Sequence, residues 1–135
     1  MIRLLHAALL ALLVEGVAEA ETVKATRFGY PGDKWAGRTL RCLGRPMAEG
    51  DLVIAHRRLP CGTVVRVTSR RTGRSVIATV ADRGPYGSTL PDGTWAIKRR
   101  ASDPGVWRGG ADLSPAVVEA IGHRSFDRVE LEVVR

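Results

Sequence analysis

The sequence predicts a small, mainly β barrel that carries one or two short helices. Many short apolar segments are separated by turns that contain glycine or proline, a pattern typical of all-β barrels. One clear helical signal lies near the C-terminus. The chain has 135 residues, enough for one hydrophobic core but not for two domains.

The N-terminal half contains three predicted strands. They cover residues 22–28, 38–43 and 52–56, where apolar and β-branched side chains are concentrated. The segments 29–37 and 44–51 hold the glycine, proline and aspartate residues that interrupt regular structure. Both segments are therefore expected to be loops.

A central hairpin gives the clearest alternation in the chain. Residues 63–69 and 74–80 alternate with a period of two, which indicates two strands with different faces. Arg71, Thr72 and Gly73 lie between them, and glycine suits the positive φ of a tight turn. Val65 and Val67 lie on one face of the first strand. Val76, Ala78 and Val80 lie on one face of the second strand.

A helix and a last strand are predicted at the C-terminus. Ser114 is expected to be the N-cap of a helix at 115–121 that begins with a proline and ends at Gly122. The segment 128–134 alternates again and is expected to be a strand. Its inward side chains would be Val129, Leu131 and Val133.

The segment 82–110 is unusually long for a connection in a compact domain. It is rich in glycine, proline and charged residues. Compact domains seldom keep nearly thirty structureless residues without a functional reason. A binding or catalytic function is therefore expected for this segment.

Residues 1–20 are expected to be a signal peptide. Arg3 precedes an apolar run at 4–14, and Ala18-Glu19-Ala20 fits the small-x-small pattern of a cleavage site. The run is shorter than the roughly 20 residues that a spanning helix needs. The alternative is a retained amphipathic or anchoring helix. On the first interpretation, residues 21–135 form an exported domain, periplasmic or extracellular, with no stable membrane anchor.

The charge and the cysteine content limit the classes of partner and of chemistry that the sequence predicts. The net charge of +7 suggests an anionic partner such as a cell-wall polymer, although it is also compatible with a merely soluble basic surface. Nucleic acid is not expected, because aromatic residues do not alternate with Lys or Arg in a stacking pattern. Cys42 and Cys61 allow one disulfide in an exported protein, and two buried free thiols are the alternative. No metal-ligand spacing or phosphate-binding glycine loop is present, so no metal or cofactor is expected.

Three polar residues lie where chemistry would be well placed. His56 ends an apolar strand, and Asp82 ends a strand directly before Arg83 and a Gly-Pro turn. Asp112 precedes the predicted helix. Each also has an ordinary structural explanation: a satisfied histidine, a turn aspartate, and a helix-flanking aspartate. From the residues alone, both interpretations stay open.

Four ordered motifs resemble the rare lipoprotein A family. Residues 54–63 (IAHRRLPCGT) resemble its AHRTLPxGT segment, and residues 81–86 (ADRGPY) resemble its DRGPF/Y motif. Residues 65–76 match the intervening hairpin, and residues 112–122 resemble its DLS helix segment. The resemblance implies a double-psi β-barrel over residues 21–135.

The family resemblance also implies an activity. Its members are endolytic lytic transglycosylases, which cleave peptidoglycan glycan strands between N-acetylmuramic acid and N-acetylglucosamine and form a 1,6-anhydro ring. By the matching motifs, Asp82 would be the general acid and then base, and His56 would hydrogen-bond substrate or tune Asp82. Asp112 and Arg83 would support the site, and Arg45 would bind substrate. Tyr86 and Trp107 are aromatic residues in predicted loops and are expected to bind sugar faces, with a small core formed by the loops themselves as the alternative. A monomer acting on glycan strands is expected.

Two departures from the family pattern leave other functions open. The family's Glu in an SGE segment, eleven residues before the histidine, corresponds to Arg45, and the segment at about 87–111 is longer than the usual link. The first departure favours a non-catalytic, expansin-like glycan-binding or wall-loosening module. A secreted effector or phage-derived scaffold is a third interpretation, because fold alone does not determine function.

Overall fold

The computed structural model describes residues 20–33, 36–85, 87–89, 95–97, 106–107 and 109–135, with backbone only for 87–89, 95–97 and 106–107. The predicted signal peptide, apart from Ala20, lies outside the described residues. The same holds for Tyr86 and for the side chain of Trp107. The predicted roles of these residues stay predictions.

Six strands close into a barrel in the order β1-β8-β2-β4-β3-β9. The barrel strands are β1 (Ala20–Arg27), β2 (Val53–His56), β3 (Val64–Ser69), β4 (Ser75–Asp82), β8 (Ala111–Leu113) and β9 (Arg128–Val133). Between β4 and β8, the strands β5 (Gly87–Thr89), β6 (Trp95–Ile97) and β7 (Val106–Trp107) form a separate sheet in the order β6-β5-β7. The helix α1 (Pro115–Ile121) follows β8.

The barrel mixes parallel and antiparallel neighbours. β1 and β8 are parallel, as are β2 and β4, whereas the other four neighbouring pairs are antiparallel. A parallel pair cannot be joined by a tight turn, so the chain must cross over between its two strands. The prediction of a mainly β, double-psi barrel is confirmed, and the described residues contain one short α-helix.

The barrel interior is filled by the alternating side chains of its strands. Val65 and Val67 of β3 are fully buried, and Ala78 and Val80 of β4 face them from the neighbouring strand. Ile77, on the opposite face of β4, is 43% exposed. The predicted hairpin and its faces are therefore confirmed. Closing the barrel also removes the open edges that would otherwise pair with other chains.

A second apolar cluster lies apart from the main core. Its buried members are Phe28, Leu40, Val53, Ala55 and Ala81. Val53 and Ala55 alternate with Ile54, which belongs to the main core, so β2 is buried on both faces. The long loop after β1 covers the outer face of β2 through Leu40. This cluster determines where the loop lies relative to the ends of β2 and β4.

The helix has the ends that the sequence predicts. Ser114 accepts a hydrogen bond from the Val117 N–H at 3.4 Å, and Gly122 adopts the left-handed conformation with φ 66°. The Ser114 hydroxyl also donates to the Asp51 carbonyl at 2.8 Å. The cap therefore joins the helix to the segment before β2 in addition to starting the helix.

Two structural predictions are wrong, one about a strand and one about the direction of a side chain. Residues 38–43 do not form a strand; Thr39 makes an isolated bridge to Pro46, and a turn follows in which the Leu43 and Gly44 N–H groups both donate to the Leu40 carbonyl. Leu40 is an apolar anchor of the outer cluster, which explains the strand-like pattern. Val133 was expected to face inward but is 39% exposed, because it is the last residue of β9.

Within the part of the chain that the structure describes, no helix is long and apolar enough to cross a membrane.

Candidate functional site

The candidate site is built where β2, β4 and β8 lie side by side. Ala55 of β2 is the Cα partner of Asp82 in β4 and of Asp112 in β8. The register between β2 and β4 shifts between Ile54 and Ala55, as at a β-bulge. Bulges re-aim side chains and are common beside active sites. The two acidic residues that the sequence singled out thus flank one position of β2.

Asp82 is half-buried and held at one oxygen. Its Oδ1 accepts a hydrogen bond from the Arg41 backbone N–H at 3.3 Å, and the Cys42 N–H donates to the Ala81 carbonyl at 2.9 Å. Among the described residues, no group binds Oδ2. The carboxylate is therefore oriented from the side of the Arg41 loop.

The disulfide predicted between Cys42 and Cys61 is confirmed, with the two Cα atoms 5.2 Å apart. It joins the loop that contacts Asp82 to the turn that follows β2. The Gly62 N–H, next to that turn, donates to the Val80 carbonyl of β4 at 2.9 Å. The Arg41 loop and the turn after β2 are thus both attached to the last residues of β4.

Arg83 attaches the β4 end to the same turn. Its Nη1 donates to the His56 carbonyl at 3.3 Å and also to the Leu59 carbonyl, and its Nη2 lies 3.9 Å from the Cys61 sulfur. A planar guanidinium can bind two carbonyls at once, which an ammonium does less well. In this arrangement Arg83 supports the turn that includes residues 56–61.

His56 is almost fully buried, and both of its ring nitrogens are engaged. Nδ1 accepts hydrogen bonds from the Arg58 N–H at 3.1 Å and the Leu59 N–H at 3.0 Å. Nε2 lies 3.2 Å from the Glu21 carboxylate. Because Nδ1 is an acceptor, the neutral ring carries its proton on Nε2 and donates it to Glu21. His56 therefore folds the turn around its ring in the structure.

Burial lowers the pKa of His56, because the charged ring loses its hydration. The hydrogen bond and the charge of Glu21 act in the opposite direction, and the charges of Arg58 and Arg57 add to the lowering. The neutral form of the ring is thus favoured by the fold, in agreement with its two acceptor contacts at Nδ1.

Sequence reasoning did not identify Glu21. Its carboxylate contacts both His56 and Arg58, the latter at 3.4 Å. The residue stands next to the expected signal-peptide boundary, and no local motif connects it to His56, which lies 35 residues away. Only the pairing of β1 in the barrel brings the two together.

Asp112 and Arg45 have protein partners as well. The Asp112 carboxylate accepts a hydrogen bond from the Thr26 hydroxyl of β1. Arg45 binds the Asp51 carboxylate through both terminal nitrogens, at 2.9 and 3.4 Å, and this contact lowers the pKa of Asp51. Arg45 is therefore part of an ion pair at the surface.

The described residues contain no group of three or more His, Cys, Asp or Glu side chains placed to hold a metal ion.

The barrel and the acidic end of β4 define a double-psi β-barrel protein. The chain is 50% identical over 54 residues to an uncharacterized protein of Synechocystis sp., a match that covers 40% of this chain and 59% of the relative. It is 51% identical over 49 residues to the probable endolytic peptidoglycan transglycosylase RlpA of Nostoc sp., covering 32% and 13%. The protein of the same name in Synechocystis sp. is 39% identical over 88 residues, covering 61% and 26%.

The chain is thus similar to RlpA proteins over parts of its length, and these similarities, the ordered motifs and the closed barrel support an RlpA-like family. No family model matches the chain. The chain spans less than two thirds of the length of each of these three relatives.

Proposed function

We propose that this chain is an exported endolytic lytic transglycosylase that acts on peptidoglycan glycan strands. The observation that carries the proposal is the position of Asp82. Its carboxylate ends β4 in a DRGPY motif, one oxygen is oriented by the Arg41 N–H, and the other is free of described protein partners. The names of the RlpA relatives, which describe peptidoglycan transglycosylases, support the reaction class.

The proposed reaction needs one acid and no water. Protonated Asp82 donates its proton to the glycosidic oxygen as the bond from that oxygen to C1 of the muramyl residue breaks. The resulting carboxylate takes the proton from the C6 hydroxyl of the same sugar, whose oxygen bonds to C1. The proton returns to Asp82, and the products are a free hydroxyl and a 1,6-anhydro end. A second, nucleophilic carboxylate is not required, unlike in ordinary retaining glycosidases.

The neighbours of Asp82 have supporting functions in this proposal. Asp112, on the other side of Ala55, orders the strand ends through its bond to Thr26. Arg83 and His56 hold the turn of residues 56–61, to which the disulfide ties the Arg41 loop. Tyr86 and Trp107 stay predicted contacts to sugar faces.

The proposal is tested with the oxidised protein and its Asp82→Asn variant, incubated with intact sacculi and with peptide-free glycan strands. Asn keeps an oxygen that can accept the Arg41 N–H but cannot transfer a proton, so the fold should be retained. Products are read by mass spectrometry for anhydro ends, which are lighter by one water. Glu130→Gln, on β9 and 43% exposed in its side chain, is the control for removal of one carboxylate.

Anhydro products from the wild type and Glu130→Gln, with at least a hundredfold fewer from Asp82→Asn, are expected, since general acid catalysis contributes about 10²–10⁴-fold. Hydrated ends would mean a hydrolase instead. If Asp82→Asn were as active as the wild type, the assignment of Asp82 as the general acid would be wrong.

Arg45 favours a second candidate function, that of a non-catalytic glycan-binding or wall-loosening module. A guanidinium bound to Asp51 cannot replace an acidic function of the glutamate that RlpA proteins carry at this position. The same experiment decides between the two functions, because a binding module cosediments with the wall, releases no fragments and is unaffected by Asp82→Asn.

A further inference from the structure

The segments around Asp82 carry five arginines, and four of them are bound to other groups of the protein. Arg41 differs from the others, because its side chain is exposed and its guanidinium has no hydrogen-bond or ion-pair partner in the described parts of the chain. The partners of the other four are Asp51 for Arg45, the Gly109 carbonyl for Arg57, Glu21 for Arg58, and the His56 and Leu59 carbonyls for Arg83.

The position of Arg41 is defined by three independent contacts. Its backbone N–H donates to Asp82 Oδ1 at 3.3 Å, which places its Cα at most about 5 Å from that oxygen. The next residue, Cys42, is bonded to Cys61 and donates from its N–H to the Ala81 carbonyl. The start of the Arg41 side chain is therefore fixed beside the candidate acid, whereas its charged end is free.

A free guanidinium at this place suits a carboxylate. Arg binds carboxylates through two parallel N–H···O bonds, and such charge-assisted bonds are roughly twice as strong as neutral ones. The proposed substrate carries carboxylates on its muramyl residues, either on the lactyl group itself or on an attached stem peptide. Arg41 takes part in none of the salt bridges found between the described residues.

We propose that Arg41 is a substrate-binding residue that contacts a carboxylate of the muramyl residue, beside the bond that Asp82 cleaves. This inference rests on the proposed function and adds to it the group on the substrate that the protein recognises. Arg41 thereby selects acidic glycan strands over neutral ones, such as oligomers of N-acetylglucosamine alone.

The test compares binding of three glycan probes to the full, oxidised chain. The first is peptide-free strands, in which every lactyl carboxylate is free. The second is the same strands with these carboxylates converted to neutral methylamides, and the third is peptide-bearing strands, in which the lactyl group is amidated and only peptide carboxylates remain. Dissociation constants are measured for the wild type, Arg41→Gln and Arg41→Lys.

Arg124→Gln is the matched control. Arg124 is also exposed, and its guanidinium has no partner among the residues that the structure describes. It follows α1, in a groove with Arg74 at the opposite end of β4 from Asp82. Loss of one positive charge there lowers the net charge equally but leaves the candidate site intact.

We expect the wild type and Arg124→Gln to bind at least one carboxylate-bearing probe about tenfold more tightly than the neutral strands. Arg41→Gln binds all three probes equally weakly, and Arg41→Lys lies between. A preference for the first probe assigns the lactyl carboxylate, and a preference for the third assigns the stem peptide. Melting temperatures equal to that of the wild type establish that the variants are folded, as expected for an exposed side chain.

Three outcomes overturn the inference: no preference of the wild type for a carboxylate, unchanged binding by Arg41→Gln, or an equal loss in Arg124→Gln. Cleavage is read separately through anhydro products. If Arg41-dependent binding occurs without such products, the proposed transglycosylase activity is wrong and the proposed contact to a carboxylate is retained. If products form equally well with Arg41→Gln and binding is unchanged, only the contact is wrong.

Discussion

The Glu21 carboxylate lies 3.2 Å from Nε2 of His56, at the end of the barrel where β1 begins and β2 ends. On the other side of the ring, Nδ1 accepts two backbone N–H groups of the following turn. A proton added to Nδ1 would displace both of these bonds. The turn that Arg83 and the disulfide connect to Asp82 is therefore folded around a neutral histidine.

The stability of the protein is expected to fall in mild acid because of His56. Its folded pKa lies below the unfolded value of 6.5, so the unfolded chain binds the proton more tightly. The contribution of the neutral ring is complete above pH 6.5 and is lost as the pH falls through the folded pKa. Chemical denaturation of the wild type and His56→Asn across pH 4.5 to 8 measures this contribution to the free energy of unfolding.

Asn has an oxygen that can replace Nδ1 as acceptor but does not titrate. The difference in free energy of unfolding between the two proteins should therefore shrink as the pH falls. A difference that is constant with pH would contradict the prediction.

Glu21→Gln is expected to lower the pKa of His56 further. The hydrogen bond and charge of Glu21 both raise that pKa, and an uncharged amide keeps at most a hydrogen bond. NMR titration of the ring protons measures the change. Glu132→Gln, which removes a carboxylate paired with Arg66 on the barrel surface, should leave the His56 titration unchanged. An unchanged pKa of His56 in Glu21→Gln would show that the contact is absent in solution.

Arg83→Lys is expected to destabilise the protein by about 1–3 kcal/mol, the cost of leaving a half-buried hydrogen-bonding group unpaired. Lysine cannot bind the His56 and Leu59 carbonyls with the geometry of a guanidinium. Urea denaturation gives the free energy, and Arg66→Lys on the exposed side of β3 is the control. Equal stability of the two variants would mean that the carbonyls find other partners.

Reduction of the disulfide is expected to lower the free energy of unfolding by about 3 kcal/mol in the chain-entropy model, because the bond closes a loop with a sequence separation of 19 residues. Amide exchange should also accelerate at Arg41 and Cys42, since their bonds to β4 lose a covalent support. The paired variant Cys42→Ala/Cys61→Ala separates this effect from that of the reductant. Unchanged exchange at Arg41 would show that the loop holds its position without the bond.

Gly110→Ala is expected to destabilise the barrel by about 1–3 kcal/mol, the usual cost of overpacking. A Cβ at this position would lie 2.5 Å from Val23 Cγ1 and 2.7 Å from Val23 Cβ, on a stiff β-branched side chain. Gly73→Ala, where the added Cβ meets nothing within 4 Å, controls for loss of glycine, although its φ of 74° adds strain of its own. The variant Val23→Ala/Gly110→Ala should recover part of the loss, and an absence of recovery would exclude this clash as the cause.

Much of the barrel could be predicted from local patterns. The hairpin of β3 and β4 follows from alternation around a glycine turn, and the helix follows from its Ser114 cap, its proline and Gly122, because these signals lie within a few residues of each other. The segment 38–43 could not be interpreted in this way. Its apolar side chain at Leu40 is an anchor for a loop, and only the position of the outer cluster distinguishes an anchor from a strand.

By itself, the sequence determined in what order the motifs occur and which residues are candidates for chemistry, since Asp82, His56 and the cysteine pair stand in recognisable segments. The tertiary structure alone decided what each of them contacts. Glu21 reaches His56 because β1 closes the barrel, and Arg41 reaches Asp82 because a buried leucine and a disulfide fix its loop over β2. Such contacts join residues that are 35 and 41 positions apart, and no local pattern encodes the closure that brings them together.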